Sequence, residues 1–507
     1  MSFSAKAGAF GRPQSLVVPV AAAVIIALVS FAAIYSFGIV PVTLAVVAFA
    51  CLIIAVANPD FATQIVVLVM YSNAAAVAVH NNRSLTPIAV AFFLMLFIPV
   101  VNFVVFRREG LRIDRVSWLM VLYLVIITTS AMLSRVPAES IKPVTKFVFE
   151  GLMFYVLLIN SFRSPQLLRR AMWIMLVVAG LLGALSWHQS LTKSFHSNYG
   201  GFAMTTLAAS ETGGSSTGDE VDTGEFKRGV AVGQFRALGP VSDPNFYSQI
   251  LVAALPFGLI FAFVGRSKRI RVVAAALCIP LMAGIVLSFS RGAALTVFLL
   301  GFSLFFLRYL KLRYAVLFVA VLIAVLVSMP GYMNRVLSVG TVSSHKADDS
   351  MRQRSGIVRT GFEVFLHHPV LGVGVGQAPN YIEISGMGYS AGRRGLAPHN
   401  TYLELLVESG IVGFTCFVAI VVVMIRNLLR AGRYWLGKRP EYAQLCMACM
   451  LSVGAFLATS LFLHLAFPRY FWLLMGLAGA AARIFDPEEA ERNLQRVSGV
   501  IVAQNQP

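Results

Sequence analysis

Apolar runs of about 20 residues, the length a helix needs to cross a bilayer, fill most of the chain and are separated by short polar or charged joints. They are predicted at approximately 16–36, 39–57, 61–79, 86–106, 117–133, 144–160, 168–187, 244–264, 271–289, 292–307, 313–329, 400–425, 441–463 and 467–485. The pattern predicts an all-α polytopic membrane protein with 12–14 transmembrane helices. Fourteen is the best count, and the shortness of the second and third runs leaves twelve or thirteen open. Two stretches break the rhythm, 188–243 and 330–398, both long and polar. They divide the chain into spans over 1–187, a loop over 188–243, spans over 244–329, a loop over 330–398, spans over 399–485 and a tail over 486–507.

The second loop has internal order of its own. Over 350–367 the helical period places Met351, Ser355, Val358, Phe362, Phe365 and Leu366 on one stripe, with Arg352, Gly356, Arg359 and Glu363 on another. That predicts an amphipathic helix lying on the outer face of the membrane domain and ended by Pro369. The alternation Leu371-Gly372-Val373-Gly374-Val375-Gly376 follows. Such glycines either cradle a phosphate or make a close-packed turn. The segment does not follow a strand and open a helix, so the turn is the simpler reading. In the first loop the polar run 210–220 reads as a flexible linker.

Composition agrees with the pattern: apolar residues make up 58% and charged residues 12%, against roughly 45–50% and 25% in soluble domains. The net charge of +19 would suggest nucleic acid in a soluble protein. Here the distribution explains it: with the N-terminus inside, 24 of the 41 basic residues collect on inner flanks, against 6 in the short outer turns. The positive-inside rule then predicts both termini cytoplasmic and both long loops outside, where the other 11 lie, since long loops translocate whatever their charge. Lys6 and Arg12 read as the cytoplasmic flank of the first span. The five cysteines sit in apolar runs and read as structural, with neither a metal site nor a disulfide expected. No G-x-x-x-x-G-K-[ST] motif occurs, which argues against an ATP-driven pump.

Candidate chemistry gathers at three places. In Pro398-His399-Asn400-Thr401-Tyr402-Leu403-Glu404 a polar loop re-enters an apolar helix, and Thr401-x-x-Glu404 fits a capping box that starts the helix near Asn400 or Thr401. His399 at that mouth suits general-base work near neutrality, or it only caps the helix. Glu408 would lie two turns into the membrane, where a carboxylate seeks a polar cavity or a partner, and Gly410 and Gly413 read as close helix contacts. Arg236, ahead of Asp243-Pro244-Asn245, is either a diphosphate ligand or a snorkelling cation. Ser288-Phe289-Ser290-Arg291-Gly292 joins two spans with almost no loop, which holds Arg291 at the outer surface and makes it a functional candidate by default.

These residues resemble the O-antigen ligase and polymerase family, membrane glycosyltransferases that handle undecaprenyl-diphosphate-linked glycans. The resemblance rests on His399-Asn400-x-Tyr402-Leu403 with Glu408-x-Gly410-x-x-Gly413, on Ser290-Arg291-Gly292, on Arg236-x-x-Gly239 ahead of Asp243-Pro244-Asn245, and on Pro369 with Leu371-Gly372-Val373-Gly374. It covers roughly 230–425. It implies a glycosyltransferase C-like fold with two long periplasmic loops, sited in a bacterial inner membrane. It also implies transfer of a glycan from the lipid diphosphate to a glycan or lipid A-core acceptor without metal or cofactor, in O-antigen, exopolysaccharide or capsule assembly. Arg236 and Arg291 would bind the diphosphate and stabilise its leaving charge, and His399 would deprotonate or orient the acceptor. Asn245, Arg352, Arg359, Tyr402 and Glu408 would serve substrate binding. Membrane lipids and polysaccharide-assembly proteins would be its partners, and nucleic acid would not. Where the family usually has Asn-Pro-Asn, Asp243 departs and leaves any amide role there open.

A polymerase joining repeat units would use the same residues. A secondary transporter or flippase is the rival from another class. Against it stand the lack of an internal repeat and the gathering of charged motifs at the surface instead of the midplane.

Overall fold

The computed structural model describes residues 39–211, 235–307, 345–384, 400–465, 468–488 and 491. Among these, eight helices are long and apolar enough to cross a membrane, or nine if one bent pair is a single span. The protein is therefore an all-α, multi-pass membrane protein. The expected spans 16–36 and 313–329 fall outside the described residues, and helices stand over the other predicted positions.

The core is a bundle in which Pro165–Thr192 packs on Lys268–Leu287, and Pro244–Val264 packs on both Lys268–Leu287 and Pro440–Thr459. Lipid offers helices little hydrophobic incentive to associate, so small residues that admit close backbone approach matter more than bulk. Gly183 meets the Pro280–Leu281 backbone so closely that a Cβ there would fall on the Pro280 carbonyl. Aromatic packing of Phe471 on Trp472, Phe417 and Phe456 fills the middle.

Three helices depart from the sequence expectation. The predicted span 61–79 is broken: Pro59–Tyr71 and Ala74–Asn81 meet at 59°, with Asn73 between them at φ 60. Asparagine tolerates that left-handed conformation better than most residues. The predicted span 441–463 ends early, at Thr459, and the next helix starts at Pro468.

The third departure is inside Thr401–Leu436, whose 36 residues are interrupted at Gly410 (φ 62, ψ −168). The expectation of a simple close contact at Gly410 is thus replaced by a break. A broken helix strands carbonyls before the gap and N–H groups after it. Residues 369–374 of the preceding loop satisfy both sides. Val373 N–H donates to Val407 O at 2.9 Å and Gly374 N–H to Glu408 O at 3.1 Å. Ile411 N–H donates to Pro369 O at 2.8 Å and Val412 N–H to Val370 O at 3.3 Å. Ser130 Oγ lies 2.6 Å from Leu371 O and 2.8 Å from Glu408 O, so its one proton is shared between them. The glycines are required by proximity: a Cβ on Gly410 would fall on the Val370 carbonyl, and one on Gly372 (φ 71) would stand 2.5 Å from the Glu408 carbonyl carbon. The Gly-x-Gly alternation is a plug for a helix break, which fits the close-packed reading.

The break also moves Glu408. The piece after Gly410 is about 39 Å long at 1.5 Å per residue, enough to cross a bilayer alone. Glu408 therefore belongs to a separate half-helix, Thr401–Ser409, and not to the second turn of a span. Its carboxylate Oε1 accepts the Ala378 N–H at 3.4 Å, at the start of the short helix Ala378–Ile384.

The amphipathic helix runs over His345–His367, and the face it packs on protein lies beside the apolar stripe. Ile357, Thr360 and Val364 are buried, and Gly361 stands against Leu403. Val358, Phe362 and Leu366 face away. The reason is the glycine: the flat surface at Gly361 admits the half-helix more closely than the bulky stripe would.

Candidate active site

Four helices start at one end of the bundle, at Pro244, Arg291, Thr401 and Pro468, and the loop Ser460–Leu465 ties their starts together. Thr401 N–H donates to Ser460 O at 3.0 Å and to Leu463 O at 2.8 Å, and its hydroxyl donates to Leu463 O at 2.7 Å. Leu465 N–H donates to Glu404 Oε2 at 3.0 Å. Gln249 Nε2 donates to Ser460 Oγ at 3.0 Å. The Phe462 ring covers Gly292, where a Cβ would be only 2.8 Å from it, and the His464 ring stands edge-on to Phe246 at 5.2 Å.

Three of the starts carry side-chain caps. Asp243 Oδ1 accepts from Asn245 N–H at 2.8 Å and Phe246 N–H at 2.9 Å. Ser290 Oγ accepts from Ala293 N–H at 3.4 Å. Asn400 Oδ1 accepts from Tyr402 N–H at 2.9 Å and Leu403 N–H at 3.1 Å. The expected capping box is therefore not formed: Asn400 is the cap, Thr401 is inside the helix, and the Glu404 carboxylate is engaged by Leu465. Asn400 wins because its Oδ1 reaches two N–H groups at once, while Thr401 and Glu404 find partners across the loop. The Asp243 departure is also accounted for. The cap uses only an acceptor oxygen, which Asp and Asn share, and a carboxylate suits the positive end of a helix dipole.

Arg236 reaches the turn that leads into Arg291. The Lys268–Leu287 helix ends at Ser288, Phe289 takes a left-handed φ of 52, and the next helix begins at Arg291. Buried Arg236 donates from Nε to Ser288 O at 3.0 Å, placing a cation on a helix C-terminus. Its backbone is held from the other loop: Arg236 N–H donates to Thr206 Oγ1 and Thr206 N–H to Arg236 O, both at 3.1 Å. There Ala237–Gly239 pairs antiparallel with Met204–Thr205, a small ribbon the sequence reading did not foresee. Arg291 is exposed at the first turn of its helix. Ser242 (φ 56), next to the Asp243 cap, and Phe289 (φ 52), two residues before Arg291, are non-glycine residues in the left-handed region, and such strain clusters at functional sites.

The remaining predicted residues divide. Asn245 and Tyr402 are at the converging starts, the latter with its hydroxyl donating to Leu457 O at 2.8 Å. Arg359 is exposed on the helix His345–His367 and pairs with Glu363 at 3.1 Å. Glu408 sits at the helix break. His399 and the Arg352 side chain lie outside what is described.

Sequence reasoning missed the Ser460–Leu465 loop, with His464 on it, and Arg469 two residues into the helix that follows. Arg469 Nη2 donates to Asn73 Oδ1 at 2.8 Å, and Asn73 Nδ2 donates to Pro240 O at 2.8 Å. The break at Asn73 thus ties the Arg236 loop to the last helix. A histidine and an arginine between two apolar runs were the available signal, the same one that singled out Arg291.

Residues 276–418 match the family model described as O-antigen ligase. The match supports assignment of this segment to the O-antigen ligase family. No curated protein matches the chain. The matched segment contains the Ser288–Arg291 turn, the helix His345–His367, the glycine plug and the Gly410 break. Arg236, His464 and Arg469 come to it from outside the matched segment.

Proposed function

We propose that this protein is an O-antigen ligase-type glycosyltransferase that moves a glycan from an undecaprenyl-diphosphate carrier to an acceptor hydroxyl at the periplasmic face of the bacterial inner membrane. The observation that carries the reading is the convergence of four helix N-termini on one loop, next to a turn shared by Arg236 and Arg291. Each helix start contributes roughly half a positive charge, and guanidinium groups bind phosphate oxygens with two donors. Such a place suits a dianionic diphosphate, and best of all one whose negative charge grows as a bond to it breaks.

In the proposed step the acceptor oxygen attacks the anomeric carbon, the bond from that carbon to the diphosphate oxygen breaks, and undecaprenyl diphosphate leaves with the electron pair. Arg236 is oriented by the Ser288 carbonyl and Arg291 by its place in the first helical turn. Both stabilise the leaving charge. His399, next to the Asn400 cap, takes the proton of the acceptor hydroxyl, so the reaction needs neither metal nor cofactor. Asn245 and Tyr402 line the approach, and Arg352 and Arg359 on the outer helix meet the glycan.

The test is transfer by the purified protein from undecaprenyl-diphosphate glycan to defined acceptors. Wild type should form a glycosidic bond in the presence of EDTA, while Arg291→Ala and His399→Ala should lose activity by about 10²-fold or more. Full activity in both variants at normal folding would overturn the site, and vectorial movement of a solute without a new bond would favour the transporter. One en bloc product marks a ligase, and a ladder of repeats marks the polymerase alternative.

A further inference from the structure

We propose that the outer helix His345–His367 is seated in the acyl-chain region of the leaflet on its own side, through the face formed by Val358, Phe362 and Leu366. These residues recur at every fourth position, one stripe of a helix, and are 48%, 52% and 58% exposed. At 100° per residue the stripe lies between two other faces. On one flank is the face buried against the half-helix, with Ile357, Thr360 and Val364. On the other are Arg359 and Glu363, paired at 3.1 Å. Protein contact, apolar strip and charged edge in that order describe a helix lying in the plane of an interface, with its ion pair at headgroup level.

The neighbouring surface names the occupant. The next exposed apolar residue along the chain is Val370, at 58%. Its carbonyl accepts the Val412 N–H across the helix break at 3.3 Å. Ile411 and Val412, 43% and 37% exposed, open the part of Thr401–Leu436 that is long enough to span. Only His367, His368 and Pro369 separate the end of the stripe from Val370, which is hydrogen-bonded to the start of the segment long enough to span. Left in water, a stripe of this kind would be an aggregation liability. The proposal is independent of the glycosyl-transfer reading, since it concerns where the helix lies and not what the site does.

The test uses environment-sensitive probes on single cysteines in the full chain. Cys278, Cys416, Cys446 and Cys449 are buried, so Cys51→Ser supplies a background with low labelling. Probes at Phe362→Cys and Val358→Cys are compared with one at Glu363→Cys, in liposomes containing lipids brominated on the acyl chains. We expect blue-shifted emission at 358 and 362, bromolipid quenching there about twofold or more above that at 363, and protection from aqueous iodide. Iodide quenching at 358 and 362 equal to that at 363 overturns the proposal. So does protection from both quenchers, which would mean that protein covers the stripe, whether another part of the chain or a second copy. Two sites with conservative changes guard against misfolding of either variant.

Discussion

The Nε of Arg236 lies 3.0 Å from the carbonyl oxygen of Ser288, three residues ahead of Arg291. The turn that presents one arginine is therefore the turn that orients the other. Lysine keeps the charge of Arg236 but cannot offer Nε together with a planar fork. Arg236→Lys should lower transfer almost as far as Arg236→Ala, by about 10²-fold, measured with purified enzyme at equal folded concentration. Wild-type rates in the lysine variant would mean that charge alone suffices.

Asp243 accepts two backbone N–H groups at the start of Pro244–Val264 through one oxygen. Asp243→Asn keeps that acceptor and should leave stability and transfer near wild type. Asp243→Ala should cost about 1 kcal/mol, read as a fall in melting temperature in detergent, and should disturb the adjoining Arg236 loop. A large loss in the asparagine variant would point to a role for the charge beyond capping.

Gly410 and Gly372 are in left-handed conformations with backbone where a Cβ would stand. Gly410→Ala should destabilise by about 1–3 kcal/mol from strain alone, with the steric clash added. Ser130→Ala, which removes one shared hydroxyl, should cost about 1 kcal/mol. Thermal unfolding of both variants checks the ranking, and equal melting temperatures would contradict the plug.

Arg469, Asn73 and the Pro240 carbonyl form a chain of two hydrogen bonds, each 2.8 Å. Arg469→Ala and Asn73→Ala should each impair stability and transfer. The double variant should be less impaired than the sum, with a coupling on the order of 0.5–3 kcal/mol. Strict additivity would show that the two residues act separately.

What could be read from the sequence divides along physical lines. Apolar length is a local property, so the helices over 86–106, 117–133, 168–187 and 244–264 were visible in advance. Arg291 was visible because a lone cation between two apolar runs has nowhere to go but the membrane surface. The Gly410 break was not, because the groups that fill it are backbone N–H and C=O of residues 369–374, and backbone carries no sequence signature. The helix over His345–His367 was found, but the face that packs on protein was not: hydrophobic period locates an apolar stripe without saying whether protein or lipid meets it. Glu404 fitted a capping motif, and a closer partner at Leu465 overrode it. His464 escaped because the span was drawn up to Leu463, which left it in a gap too short to suggest a site, and the helix end at Thr459 places it on a longer loop.

The plug at Gly410 has a consequence for biogenesis. Apart from Glu404 and Glu408, residues 401–425 present a largely apolar run to an insertion apparatus, and Gly410 weakens a helix there without by itself breaking it. The segment that breaks it precedes it in the chain, so it emerges from the ribosome first and must already be on the correct side when the helix arrives. Assembly of this half of the protein is thus ordered by synthesis: delay in placing residues 369–374 would leave an uninterrupted helix, with Thr401 carried away from Ser460 and Leu463 and the proposed site never closed.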